Sequence, residues 1–304
     1  MSGRIGLGLA ALGRPAYINL GHGSDVGPQK DPAALEREAH AVLDAAYDGG
    51  VRYFDAARSY GKAEEFLARW LERRRLTPDD VTVGSKWGYT YTGRWRVDAE
   101  VHEVKDLSLE TLRRQLDESR ALLGPYLRLY QIHSATLESG VLDDGAVLEE
   151  LGRLRASGLA IGFTTTGPRQ AETIERALQV GGFDTVQATW NLLERSAGPA
   201  LEAAHAAGLR VIVKEALANG RLTARGGIEP LNAAAQDAGA TPDALALAAV
   251  LAQPWVDVVL SGAATVDQLR SNLAASMLEP GLDLDALVES PERYWAERAE
   301  LPWN

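Results

Sequence analysis

Four side chains of complementary chemistry stand out in the 304-residue chain: Asp55, Tyr60, Lys86 and His133. A phenol with an ordinary pKa of about 10 is a poor acid or base at neutral pH, but a neighbouring ammonium favours the phenolate and lowers that value. Lys86 is the group that can do this to Tyr60. A carboxylate beside the lysine keeps it charged and in place, a task for Asp55, while His133 can donate a hydrogen bond to a substrate oxygen. Together the four describe a proton-transfer site facing a carbonyl. Singly they are weaker. An aspartate ending a strand is commonly a turn residue, and a rim tyrosine or a lone histidine is commonly packing. Lys86, closing a buried strand, needs a partner.

The elements that must position these residues follow from periodicity. Short β-branched runs at 4–9, 51–55, 81–86, 127–133, 161–165, 185–190, 210–214 and 256–261 read as buried strands. Helical patterns run near 32–48, 62–75, 108–122, 144–157, 170–180, 199–207, 242–252 and 266–277, with N-caps at Asp31, Ser108 and Thr241 and an Asp143-Asp144 pair before another. Eight strands alternating with eight helices, the strands apolar on both faces, predict an α/β fold: a (β/α)8 TIM barrel forming a single domain over 1–304. An open doubly wound sheet is the alternative. Active sites of such barrels gather at the C-terminal ends of the strands, where Asp55, Lys86 and His133 fall. The stretches 87–107, 215–240 and 279–304 are too long for plain connections and predict extended loops over that face with a C-terminal extension. Gly6-Leu7-Gly8-Leu9-Ala10-Ala11 matches a dinucleotide fingerprint, yet Pro15 follows where the helix should run. Its glycines read as close approach at the barrel mouth instead.

Composition excludes several classes. Lys plus Arg number 31 against 42 Asp plus Glu, a formal charge of −11, which argues against nucleic acid or an anionic membrane as partner. The longest apolar run, 244–252, is too short to span a bilayer, which takes about 20 residues. The first residues make a poor secretion signal, so the chain reads as cytoplasmic. There is no cysteine, and none of the five histidines sits at i, i+4 spacing, so no metal is expected.

The local sequences Phe54-Asp55-Ala56-Ala57-Arg58-Ser59-Tyr60-Gly61, Gly84-Ser85-Lys86-Trp87-Gly88 and Leu129-Tyr130-Gln131-Ile132-His133 resemble the three catalytic segments of the aldo-keto reductase family, in order. The stretch 106–124 resembles that family's helix before the histidine strand, and 186–193 resembles its Gln-x-x-Tyr-Asn-Leu-Leu segment. The resemblance implies reduction of an aldehyde or ketone, or the reverse oxidation of an alcohol or sugar, with a nicotinamide dinucleotide. Tyr60 would be the general acid, Asp55 and Lys86 its tuners, and His133 would orient the carbonyl oxygen. By the same alignment Gln187 contacts the nicotinamide carboxamide and Trp190, in place of the usual tyrosine, stacks on its ring. Thr164 and Thr165 stand where the family has Ser-Asn. Lys214 and Leu217 belong to the altered loop over the pyrophosphate, with Lys214 divided between a phosphate contact and an acid partner.

Gly262, Ala263, Gln268 and Asn272 follow the last strand, where many members clamp a 2′-phosphate with a lysine and an arginine. Both charges are missing here, and Arg270 is the cation placed to reach that phosphate. Members with this Gly-Ala version still use the phosphorylated cofactor, so NADP(H) is favoured over NAD(H). Trp87, Tyr89 and Trp95 are expected to line the substrate pocket, with the excursion 17–22 nearby and His22 on the surface. The expected partner is a small carbonyl or sugar, the state a monomer or small homo-oligomer. Two other readings remain: a nucleotide-binding redox-sensing or partner-binding module on the same barrel, like the potassium-channel β-subunits of that family, and a Schiff-base lyase using Lys86 or Lys214.

Overall fold

The structure is a computed structural model and describes residues 4–278 and 285–304. Eight parallel strands close on themselves in sequence order: β1 (Arg4–Gly8), β2 (Tyr53–Asp55), β3 (Thr82–Trp87), β4 (Leu127–Ala135), β5 (Ala160–Thr165), β6 (Thr185–Thr189), β7 (Arg210–Lys214) and β8 (Val258–Ser261), with β8 pairing β1. Eight helices lie outside them: α1 (Pro32–Asp48), α2 (Ala63–Arg74), α3 (Leu109–Leu123), α4 (Gly145–Ala156), α5 (Gln170–Val180), α6 (Gly198–Ala206), α7 (Pro242–Leu251) and α8 (Val266–Ala274). The (β/α)8 expectation holds, and most helix starts carry the caps their sequences offer. Asp31, Ser108, Asp144 and Thr241 each accept from backbone N–H groups of the first turn.

Alternation along the strands divides the barrel into an inner and an outer layer. The outer residues join the helices in one large core built around Phe54, Trp70, Trp87, Ile132 and Phe163. Inside, Leu129, Ile212 and Leu260 pack with Tyr53 toward the base. Gly6 and Gly84 make room for that ring. A Cβ at Gly6 would lie 2.9 Å from Tyr53 Cδ1, and one at Gly84 would meet the tyrosine hydroxyl. The first glycine of the apparent fingerprint is therefore a packing residue on a barrel strand, and Gly8 lines the mouth.

The three long stretches do carry structure. A hairpin of Tyr89–Tyr91 with Glu103–Lys105 follows β3, and a helix at Glu229–Asp237 lies in the third-last connection. Gly88 turns the chain into the hairpin at φ +111°, where a Cβ would strike Leu107. Residues 279–284 of the predicted C-terminal stretch lie outside the described residues, and the helix Pro291–Ala299 follows them.

Candidate active site

A cavity of about 670 Å³ opens at the C-terminal ends of the strands, within the usual size for a cofactor or small-ligand site. Asp55, Tyr60, Tyr89 and His133 line one end. Lys86 lies just behind, 1% exposed, with its ammonium 4.9 Å from the centre of the Tyr60 ring. The Tyr60 and His133 rings meet edge to face at 5.6 Å, and Tyr89 flanks His133 at 4.9 Å.

Asp55 is the hub. Its carboxylate pairs with Lys86 and accepts from the Tyr53 hydroxyl at 3.0 Å, Gln187 Nε2 at 3.0 Å and Gln131 Nε2 at 3.3 Å. Lys86 also donates to the Ala56 carbonyl at 2.9 Å. This network corrects one expectation. The ammonium does not acidify Tyr60, because it is taken up by Asp55. Burial and the Asp55 carboxylate push the phenol far above its ordinary value, with Arg14 as the opposing charge. His133 is held well below the ordinary imidazole range by burial and by Lys86, Lys214, Arg14 and Lys105. The neutral ring leaves its buried Nδ1 without a partner among the described residues. The β4–β5 register shifts between Ile132 and Ala135, and Ser134 adopts φ +55°, a bulge that re-aims the end of the strand beside His133.

Several predicted residues lie elsewhere. Trp87 does not reach the mouth: it is fully buried in the core outside the barrel. Trp190 is 5% exposed and packs on Trp255 with ring centres 5.6 Å apart, so it offers no face to the cavity. Thr165 is buried with its hydroxyl unpartnered, while Thr164 and Thr166 line the cavity. One cause covers all three. Each follows an inward residue by an odd number of positions and so points out of the barrel. Trp95 donates to the Lys30 carbonyl at 2.6 Å and packs on Phe66 behind the wall. His22 is buried, and both its nitrogens lack partners among the described residues.

Gln187, Lys214, Leu217, Gly262, Ala263, Gln268 and Asn272 line the cavity with Thr164. Lys214 takes the acid-partner alternative: its ammonium lies 2.9 Å from Thr189 Oγ1 and 3.7 Å from Glu215. Burial brings it down to about 8, against the pull of Glu215. Burial alone would raise Glu215, but Arg298 and Lys214 outweigh it and hold that carboxyl at about 2.

Sequence reading missed the wall that closes the mouth. Arg14, 2% exposed, lies over the rings of Tyr17, Tyr60 and Trp303 and pairs with Glu103 at 3.0 Å. Trp303 stacks on His102 at 4.1 Å, and the Asn304 side chain holds Gly23 N–H at 2.7 Å and donates to the Asn19 carbonyl at 3.0 Å. Glu215, in a left-handed conformation at φ +52°, pairs with Arg298 from the C-terminal helix. Strain of this kind clusters at functional sites, and an Arg or Glu displaced from any strand pattern was the signal available.

The closed parallel barrel is matched by comparison with known proteins. The model of the Aldo/keto reductase family matches residues 4–281, and the chain belongs to that family. It is thus an oxidoreductase of carbonyl compounds. A D-threo-aldose 1-dehydrogenase from a Pseudomonas species is 27% identical over 96% of this chain and 95% of its own length. An NADH-specific methylglyoxal reductase of Escherichia coli is 28% identical over 76% of this chain and 80% of its own. Among solved structures, a protein from Pseudomonas aeruginosa assigned as an aldo-keto reductase is similar with a TM-score of 0.65 and 25% identity, covering 91% of each chain.

Proposed function

We propose that this protein reduces a small hydroxyl-bearing aldehyde or ketone, and oxidises the corresponding alcohol, with a nicotinamide dinucleotide lying along the cavity. The observation that carries the reading is the meeting of Tyr60 and His133 at the cavity wall above the Asp55–Lys86 pair. The residues present suit the dinucleotide. Gln187 and Thr164 offer polar side chains beside the tetrad, and Gly262, with open space where a Cβ would stand, lets the far end of the ligand approach backbone. When bound, the dinucleotide supplies a hydride to the carbonyl carbon or removes one from the alcohol.

The chain's own residues manage the oxygen. His133, neutral, donates a hydrogen bond to the carbonyl oxygen and orients it. Tyr60, whose ionisation is opposed by burial and by the Asp55 carboxylate, passes its proton to that oxygen as negative charge develops there. Asp55 touches neither; held by four donors, it fixes Lys86 beneath the Tyr60 ring.

The mouth indicates the substrate class. Glu103 and Arg14, Glu215 and Arg298 face the cavity with Tyr17, Tyr89 and Trp303. Charged pairs that accept and donate to hydroxyls, beside flat aromatic surface, suit a short polyhydroxylated carbonyl such as an aldose better than an apolar one. The name of the aldose dehydrogenase relative agrees with this, and that of the methylglyoxal reductase agrees with a small aldehyde.

The test is nicotinamide absorbance with aldoses, methylglyoxal and apolar aldehydes. Tyr60→Phe should lose about 10²–10⁴-fold in kcat while its dinucleotide Kd stays unchanged. Full activity in that variant would refute the role given to Tyr60.

A further inference from the structure

The end of the cavity away from Tyr60 is built by β8 and the first turns of α7 and α8. Gly262 and Ala263 form its floor, Gln268 and Asn272 come from α8, and two carboxylates join them, Asp243 of α7 and Asp267 of α8. Among the described residues the cations that line the cavity are Arg14, Lys214, Arg225 and Arg298, and each faces a carboxylate partner. Arg225, the one outside the tetrad end, is held bidentately by Asp25 and also donates to the Leu20 carbonyl at 2.8 Å. Arg270 is exposed, does not line the cavity, and lies 3.5 Å from Asp267.

Part of the backbone at this end is also engaged. Ala264 N–H donates to Gln268 Oε1 at 2.9 Å, Gln268 N–H to Thr265 Oγ1 at 3.2 Å, and Ala263 N–H to Ser261 Oγ at 3.3 Å. Three of the donors around this end are thus already satisfied within the protein. The Asn272 amide satisfies both its atoms when its nitrogen faces Asp243 Oδ2 at 2.9 Å and its oxygen faces Ser261 Oγ at 2.8 Å, which holds the Asp243 carboxylate at the cavity edge.

We infer that Asp243 and Asp267 make this site select NAD(H) over NADP(H), the reverse of the preference drawn from the family resemblance. The inference rests on the dinucleotide reading above. A ribose with a free 2′-hydroxyl is a donor, and a carboxylate is an acceptor for it, the same logic by which an acidic residue favours NAD in other dinucleotide folds. A 2′-phosphate removes that donor and brings ~−1.5 to −2 of charge beside two carboxylates, with no unengaged cation lining the cavity among the described residues. Asp267, in the first turn of α8, further offsets the positive helix end that would otherwise help a phosphate.

The experiment is titration of the purified protein with NADH and with NADPH, read by calorimetry and by quenching of tryptophan fluorescence, in wild type, Asp267→Arg and Asp243→Asn. Wild type should bind NADH at least about tenfold more tightly than NADPH. Asp267, 95% exposed, is a benign place for a reversed charge. Asp267→Arg should tighten NADPH and weaken NADH, each several-fold, and Asp243→Asn should narrow the gap. Equal or tighter NADPH binding by wild type would overturn the selectivity alone. An unaltered preference in both variants would overturn the role of the two carboxylates. Failure of both dinucleotides to bind wild type would overturn the functional reading with it.

Discussion

The Tyr60 hydroxyl and the Lys214 ammonium face the same cavity with opposite consequences for pH. Tyr60 stays protonated throughout the working range because burial and Asp55 both resist its ionisation. Lys214 does not. Brought down to about 8 by burial, it carries its charge below that pH and loses it above, within reach of the group that holds the substrate. The profile of kcat/KM should therefore show an inflection near pH 8 that disappears in Lys214→Met, measured with a neutral aldose. Persistence of the inflection in the variant would place that titration elsewhere. The residue scale was also where sequence reading went furthest and slipped most regularly. Asp55, Tyr60, Lys86 and His133 could be singled out because their chemistries complement one another at or just past the ends of three strands, although each alone has a blander use. Trp87, Thr165 and Trp190 were misplaced by strand parity, a period of two that the sequence does contain. Once Lys86 and Gln187 are assigned to the inside, their neighbours at odd spacing belong to the outside.

At the scale of elements, the barrel supplies the tetrad and the connections supply the wall. The hairpin after β3 contributes Tyr89 and Glu103, the excursion after β1 contributes Tyr17, and the last residues bring Trp303 across to stack on His102 and under Arg14. These pieces hold one another. Asn304 is bonded to Gly23 and Asn19, and Asn191 joins the Glu215 carbonyl at 2.9 Å to the Tyr294 hydroxyl at 3.0 Å. Removing residues 302–304 should raise KM for the carbonyl substrate about tenfold or more, with kcat changed less and dinucleotide Kd unchanged, because only the substrate loses a wall. Steady-state kinetics and fluorescence titration read the two effects separately. A weaker dinucleotide with an unaltered KM would contradict this division of the cavity.

For the whole molecule, acid stability is the property most exposed to a single buried group. His22 is inaccessible, both nitrogens lack partners among the described residues, and burial lowers it to about 4 against Asp25, which pulls the other way. Folding depresses this pKa, so below the ordinary value of about 6.5 the unfolded chain binds a proton that the native state refuses. Stability is then complete above that pH and falls as pH drops from about 6.5 toward 4, by up to about 3 kcal/mol from this residue. Thermal melts at pH 7.5 and pH 5 should show a smaller acid-induced fall in Tm for His22→Leu than for wild type. An equal fall in both proteins would show that other groups govern it. Among the described residues no helix is long and apolar enough to cross a membrane.

The sequence by itself determined the barrel and which polar residues stand at its rim, since both rest on local periods, caps and strand-end residue types that a short window contains. The bulge beside His133 and the hairpin were not legible, as neither has a period to betray it. Only the tertiary structure decided which groups meet. Asp55 and Gln187 stand 132 residues apart and share a hydrogen bond because eight strands close, and Asn304 reaches Gly23 across 281 residues. Such pairings leave no trace in neighbouring residues, and the first of them helps hold the Asp55 carboxylate beside Lys86 and Tyr60.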